Sequence, residues 1–452
     1  MLSETACPED ADSKVRPVAR VLEYASGIWT DAEAECLQWL KADIVTVRRA
    51  LQGDAEPRQC LRMSAALGPM WWMNGMAKEG LDSIKHVAES ADAAPDWRSL
   101  VPVVERVDPG VDMGAQVSDA WVSAATTRDR KSFEAEFIAE DTPVALLTAC
   151  CLDGGGANAY ATSSYPEAAE LHAKAYAMAG KAAGGSHLDS CDALVLQSRA
   201  LDGLGRVARE TGEYKLSFQL HLAAVQRIVS ADLSTFKARM RPSPLVCAAN
   251  AISNAGVAAY RLDDKEQSKA CHSLAKRLRE SSGDLRGYSS SLGNLAKMCE
   301  SKEALPLYEE SLRIREQLHD TWGIAGSHRA IAAIHVQIGN GDVAAPHLVT
   351  AIPLFVQVHD NLGIAESLET LGLIWHARSP GPAAQLLGAS LAVRKSIGAA
   401  VDVVERRVEA KALMQTHAKD WEIGLGMTTE HAVLLVGQFS SNDHEVSHAS
   451  VL

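Results

Sequence analysis

LDGLGRVA (Leu201–Ala208), ISNAGVAA (Ile252–Ala259), SSLGNLA (Ser290–Ala296), SHRAIAAI (Ser327–Ile334) and SLETLGLI (Ser367–Ile374) are five versions of one half-repeat. With Ala208, Ala259, Ala296, Ala332 and Gly372 in register, the intervals are 51, 37, 36 and 40 residues. Each half-repeat leads through a turn into a second apolar-periodic segment, among them EYKLSFQLHLAAVQRIV (Glu213–Val229), KEQSKACHSLAKRLRE (Lys265–Glu280) and EALPLYEESLRIREQL (Glu303–Leu318). In the last, Leu305, Tyr308 and Leu312 fall three or four apart, as do Leu307, Ser311, Ile314 and Leu318. That is the helical period. The turns carry breakers: TGE (Thr211–Glu213), LDD (Leu262–Asp264), GNGD (Gly339–Asp342) and SPGP (Ser379–Pro382). RPSP (Arg241–Pro244) lies in the long first interval and reads as an inserted loop. Gly287, Gly323 and Gly363 recur at the joints, each followed four residues later by Ser291, Ser327 and Ser367. Small residues there predict closely approaching helices.

A helix–turn–helix unit recurring at somewhat more than 34 residues predicts an all-α, tetratricopeptide-like helical-hairpin repeat solenoid. Upstream, YPEAAELHAKAYAMAGKAAG (Tyr165–Gly184) reads as another second helix, with TPVALLTACC (Thr142–Cys151) as its partner. DGGGANAYATSS (Asp153–Ser164) reads as an exposed loop. RQCLRMSAALGPMWWMNG (Arg58–Gly75) and KEGLDSIKHVAES (Lys78–Ser90) form a further pair, preceded by helices near Val18–Trp29 and Asp31–Leu51. The expected organisation is a flexible N-terminus (1–17), N-terminal helical repeats (18–130), the main array (131–430) and a C-terminal tail (431–452).

Composition agrees with that expectation. Of 452 residues, 47% are hydrophobic and only 5% aromatic, so the core is built from Ala, Leu, Val and Ile. A formal charge of −13 argues against a nucleic-acid surface, which needs Lys and Arg. Nine scattered cysteines include no zinc-knuckle spacing and suit a reducing compartment. The acidic N-terminus lacks the apolar core of a signal peptide, and the longest mostly apolar run, Pro143–Leu152, is too short to cross a bilayer. The expected location is cytoplasmic, away from membranes.

WLKADIVTVRRAL (Trp39–Leu51), RMSAALGPMWWMNGMAKEGLDSIKHVAES (Arg62–Ser90) and GPAAQLLGASLAVRKSIGAAV (Gly381–Val401) resemble the tetratricopeptide arm of LuxR-type and related STAND-like signal-transduction ATPases, large bacterial transcriptional regulators. Asp43, Ala50 and Leu51, then Trp71 and Trp72, then Glu79–Gly80 carry the N-terminal part of the likeness. Ile44 and Val45 depart from the family's Asn-Leu pair. No G-x-x-x-x-G-K-[ST] loop occurs, and the 31 residues after Trp421 are too few for a LuxR-type DNA-binding domain. The resemblance therefore implies the sensor arm without its ATPase and DNA-binding domains. It implies a non-catalytic regulatory role, with a protein, peptide or small-molecule effector as partner and no direct contact with nucleic acid.

Candidate chemistry is sparse. HEVSH (His444–His448) matches the H-E-x-x-H zinc pattern but sits in a polar tail with no room for a downstream ligand. Gly154–Gly156 lacks the Lys-Ser/Thr of a phosphate loop and reads as a linker. Cys150 and Cys151 have no His beside them, and Trp71 and Trp72 read as interhelical packing. No catalytic group, cofactor or metal is expected. In helical solenoids the first helix of each pair lines a concave groove. By register Arg206, Asn250, Asn254 and Asn294 face it, with Asn250 and Asn254 one turn apart on one face, their amides available to a peptide backbone. The competing reading is an enzyme on a helical-repeat scaffold with an unrecognised active site.

Overall fold

A computed structural model describes residues 19–23, 25, 33–49, 51, 56–73, 76–90, 117–118, 121–123, 125, 141–162, 164–183, 187–231, 243–358, 360–396 and 407–438. Among them there are helices and turns and no strand. The chain divides into two compact units, Met1–Ser291 and Leu292–Leu452. No helix of the described residues is long and apolar enough to cross a membrane.

The first unit opens with helices α1 (Glu33–Ala42), α2 (Ile44–Arg49), α3 (Pro57–Met73), α4 (Ala77–Ser83) and α5 (Lys85–Ser90). Three helix pairs follow: α6 (Val144–Ala161) with α7 (Tyr165–Ala182), α8 (His187–Glu210) with α9 (Tyr214–Val229), and α10 (Pro244–Arg261) with α11 (Lys265–Ser282). The first helices also touch in sequence, α3 to α6, α6 to α8 and α8 to α10. Ala and Leu fill the seams, and Ala149, Ala159, Ala173, Ala200, Ala224 and Ala255 are almost wholly buried. Part of the RPSP breaker proves to be a helix start. Ser243 Oγ accepts the N–H of Val246 at 3.4 Å and Pro244 opens α10, the residue types that favour an N-terminus. Asp264 caps α11 in the same way at 3.0 Å, and Gly283 ends it in the left-handed region at φ +73°.

Asp153–Ala161 is not an exposed loop. Helix α6 runs on to Ala161, and Asp153 to Gly156 are all buried within it. A Cβ on Gly154 would lie 2.9 Å from the Cα of Gly68 on α3, so two backbones cross there almost in contact. Asn158 seals the crossing by donating to the carbonyls of Gly68 (3.3 Å) and Gly154 (2.8 Å). Each glycine weakens an isolated helix by about 1 kcal/mol relative to Ala. Close packing on three sides offsets that weakness, because Gly155 meets Ile84 and Leu171 while Gly156 meets His172.

The second unit begins within α12 (Leu285–Ala296), whose first residues belong to the unit before. It continues through α13 (Ser301–Gln317), α14 (Thr321–Gln337), α15 (Gly341–Gln357), α16 (Asn361–Trp375), α17 (Pro380–Ser396), α18 (Val408–Thr416) and α19 (Ala418–Leu425), with a last helix over 429–438. Its joints follow one design. Asp320 caps α14 by accepting the N–H of Gly323 at 3.1 Å, and Asp360 caps α16 through Gly363 at 2.8 Å. Gly323 leaves room for the Arg315 side chain, which donates to its carbonyl at 2.8 Å and to Ser327 Oγ at 2.9 Å. At the next joint the ring of Phe355 lies over Gly363. In the first unit Arg279, Asp284, Gly287 and Ser291 repeat the Arg315 spacing.

Candidate functional site

One spacing recurs in the first unit. Asp153 and Gly156 on α6 precede His172 on α7 by 19 and 16 residues. Asp202 and Gly205 precede His221 at the same distances, as do Ser253 and Gly256 before His272. The structure bonds the first two of these pairs. His172 Nδ1 lies 3.0 Å from Asp153 Oδ1, and His221 Nδ1 lies 2.8 Å from Asp202 Oδ1. The three rings lie flat against helical glycines, where a Cβ on Gly156, Gly205 or Gly256 would come within 2.7, 2.6 and 2.9 Å.

Because the carboxylates are acceptors, Nδ1–H donates and Nε2 carries the lone pair. Nε2 of both His172 and His221 is buried with no hydrogen-bond partner. An Asp–His pair orients the general base in many hydrolases, yet here the nitrogen that would take a proton is closed off by backbone. The pairs fasten each first helix to its second. Burial pulls His221 below the usual histidine range, with Asp202 working the other way. Burial resists ionising Asp153, but Arg199, 2.6 Å away, and His172 outweigh it and hold its carboxyl below the ordinary range. Asp202 is held low in the same sense: burial is overcome by His221, Arg206 and Asn254.

Above these locks runs a half-buried stripe. On α8, Arg199, Asp202, Arg206 and Arg209 are partly exposed at steps of three and four, and on α10 Asn250, Asn254 and Val257 follow the same spacing. Asn254 Nδ2 donates to both oxygens of Asp202, at 3.0 and 3.1 Å. Arg279 donates to Asn250 Oδ1 at 2.8 Å and to Ser291 Oγ at 2.7 Å. The Arg206 guanidinium lies 3.9 Å over the ring of Tyr160. Arg209 donates to the Tyr160 hydroxyl at 2.8 Å, and that hydroxyl donates to Glu210 at 2.7 Å.

Three of the four groove residues expected from sequence thus share one surface: Arg206, Asn250 and Asn254. Asn294 is half-buried and falls within the second unit. The two Asn amides are not wholly free, since each commits one end to a charged side chain from another helix. Sequence reading missed Asp202 and Arg279, which do the orienting. The signal for Asp202 was present in the repeated Leu-Asp spacing ahead of a histidine.

The remaining sequence candidates resolve simply. Cys150 and Cys151 are buried and their thiols bond the carbonyls of Ala65 and Leu61; burial pushes the Cys151 thiol well up. Trp71 is buried and packs on Gly80. The side chain of Trp72 and the HEVSH segment lie outside the described residues. In the second unit, Glu369 is buried between Arg394 (3.1 Å) and Arg407 (2.9 Å). His328 and His347 meet there as well, and burial followed by His347 takes His328 down to about 4.

These observations define a helical-hairpin repeat protein of tetratricopeptide-like architecture. No protein-family model matches the chain, and no curated protein matches it in sequence, so the LuxR-type likeness stays a resemblance of packing motifs. Among solved structures, aspartyl phosphate phosphatase F from Bacillus subtilis is similar at 10% identity and a TM-score of 0.47, covering 96% of this chain and 97% of its own. The Rap conjugation gene regulator of plasmid pLS20, solved in complex with the Phr* peptide, is similar at 12% identity and a TM-score of 0.42, covering 81% and 98%. BtubC from P. vanneervenii gives 12% and 0.40 over 59% and 94%.

Proposed function

We propose that the first unit binds an extended peptide segment of a partner protein along the α8–α10 stripe. The observation that supports this reading is the orientation of the two amides. Asp202 accepts only hydrogens, so Asn254 must turn its NH2 inward and leave Oδ1 outward. Arg279 donates only, so Asn250 must turn Oδ1 inward and leave Nδ2 outward. One donor and one acceptor, a helical turn apart, match the C=O and N–H of an extended chain. Arg206, braced on Tyr160, adds a cation beside them.

The regulatory role implied by the LuxR-type resemblance is the finer form of this proposal. A peptide or effector bound on the stripe would be read out by ATPase and DNA-binding modules. The reading is tested by selecting a displayed library of random 12-residue peptides on the full chain and titrating enriched peptides by fluorescence anisotropy. Asn250→Ala with Arg206→Ala should weaken them by about tenfold or more, since an unpaired desolvated partner costs about 1–3 kcal/mol. Helical circular dichroism should be unchanged. Failure of any sequence to enrich, or equal binding by parent and variant, counts against the stripe.

A further inference from the structure

A second cluster lies wholly in the second unit and plays no part in the peptide reading. His328 on α14 and His347 on α15 bring their Nδ1 atoms to 2.8 Å, with ring centroids 5.1 Å apart and planes inclined by 43°. His335, two turns beyond His328, stacks on the His347 ring at 6.2 Å and 10°. All three are half-buried. The neighbouring Arg329 is engaged by Glu366 at 2.7 Å.

Two nitrogen lone pairs aimed at one another cannot both stay filled and metal-free without a proton between them. One ring must donate its Nδ1–H to the other. A divalent transition ion replaces that shared proton when the two rings pivot so that both lone pairs point to the same side, the nitrogens keeping their present separation. With metal–nitrogen bonds of about 2.0–2.1 Å, nitrogens 2.8 Å apart enclose an angle of about 85°. That is close to the right angle between adjacent ligands of a square-planar or octahedral ion. A tetrahedral zinc ion would want nitrogens roughly 3.3 Å apart.

We propose that His328 and His347 form a chelating site for a tetragonal divalent ion of the Cu2+ or Ni2+ class, with water in the remaining positions. Among the described residues no three His, Cys, Asp or Glu side chains converge on one point. The chelate is therefore bidentate, and His335 acts as an aromatic wall over one ring. Imidazole is a favoured ligand for both ions. The paired rings come from both helices of one hairpin, so the bound ion would clamp α14 to α15.

The test uses the full chain carrying His444→Ala and His448→Ala, which removes the two histidines of the tail pattern. Isothermal titration with Ni2+ should show one equivalent bound with a rise in melting temperature, and the Cu2+ form should give an axial electron paramagnetic resonance spectrum with hyperfine structure from two nitrogens. His328→Gln and His347→Ala should each weaken Ni2+ binding by at least roughly tenfold, because even outer-shell changes alter metal affinity by about 10–100-fold. Circular dichroism identifies any variant that fails to fold, and the other then decides. Unchanged Ni2+ binding in a folded variant, no stoichiometric binding in the tail-substituted parent, or a preference for Zn2+ over Ni2+ would each overturn the proposal.

Discussion

Asp202 works in two directions at once. It takes the Nδ1–H of His221 from beneath and the amide of Asn254 from a neighbouring helix, so one half-buried carboxylate ties the hairpin lock to the half-buried stripe. His221 titrates accordingly. Its folded value lies below the usual 6.5, so the unfolded chain binds the proton more tightly. The stability it contributes is complete above about pH 6.5 and is lost as the pH falls toward the folded value. Asp202, also held low, loses its contribution only below its own unfolded value of 3.8. We therefore expect the melting temperature to fall between about pH 7 and pH 5, and to fall less steeply in His221→Gln, which keeps a donor for Asp202. Equal slopes by scanning calorimetry would remove His221 as the group responsible. At this scale the sequence was partly legible. The four-residue step from Asn250 to Asn254 put both on one face, but their partners stand 29 and 52 residues away, beyond any local rule.

At the scale of the element, the helical period was readable wherever apolar residues of ordinary size marked a stripe, as in Glu303–Leu318. It was unreadable in Asp153–Gly156, because three glycines and an aspartate follow turn statistics, whereas tertiary packing decides their structure. Gly154 must be small for α6 to reach α3, and Asp153 is buried because Arg199 and His172 meet it there. The same substitution should therefore act with opposite signs at two sites. Gly154→Ala gains about 1 kcal/mol of helix propensity, but its Cβ strikes the Gly68 backbone and overpacking costs about 1–3 kcal/mol, with little room for two main chains to part. A net loss is expected. A methyl group on Gly437, in the last helix, would meet nothing within 4 Å, so Gly437→Ala should stabilise by a few tenths to about 1 kcal/mol. Urea midpoints of the two variants make the comparison. A gain at Gly154 would show that α3 and α6 do not cross in contact.

For the whole molecule, the relevant question is how far such a disturbance travels. A repeat chain has no single centre. Its stability is approximately a sum of terms for each hairpin and for each pair of neighbours. The first unit's core follows that rule in the way its first helices touch in order, α3 to α6, α6 to α8 and α8 to α10. The second unit has a core of its own, with Leu348, Leu368, Leu371, Leu386 and Leu387 fully buried. Local opening should then depend on distance along the chain from the altered residue. Hydrogen exchange read by mass spectrometry on Gly154→Ala should show lost protection in α3, α6 and α7. The loss should be smaller through α8 to α11, and α16 and α17 should exchange as in the parent. A uniform loss of protection from α3 to α17 would mean that the two units unfold as one cooperative body, and that nearest-neighbour coupling does not describe this chain.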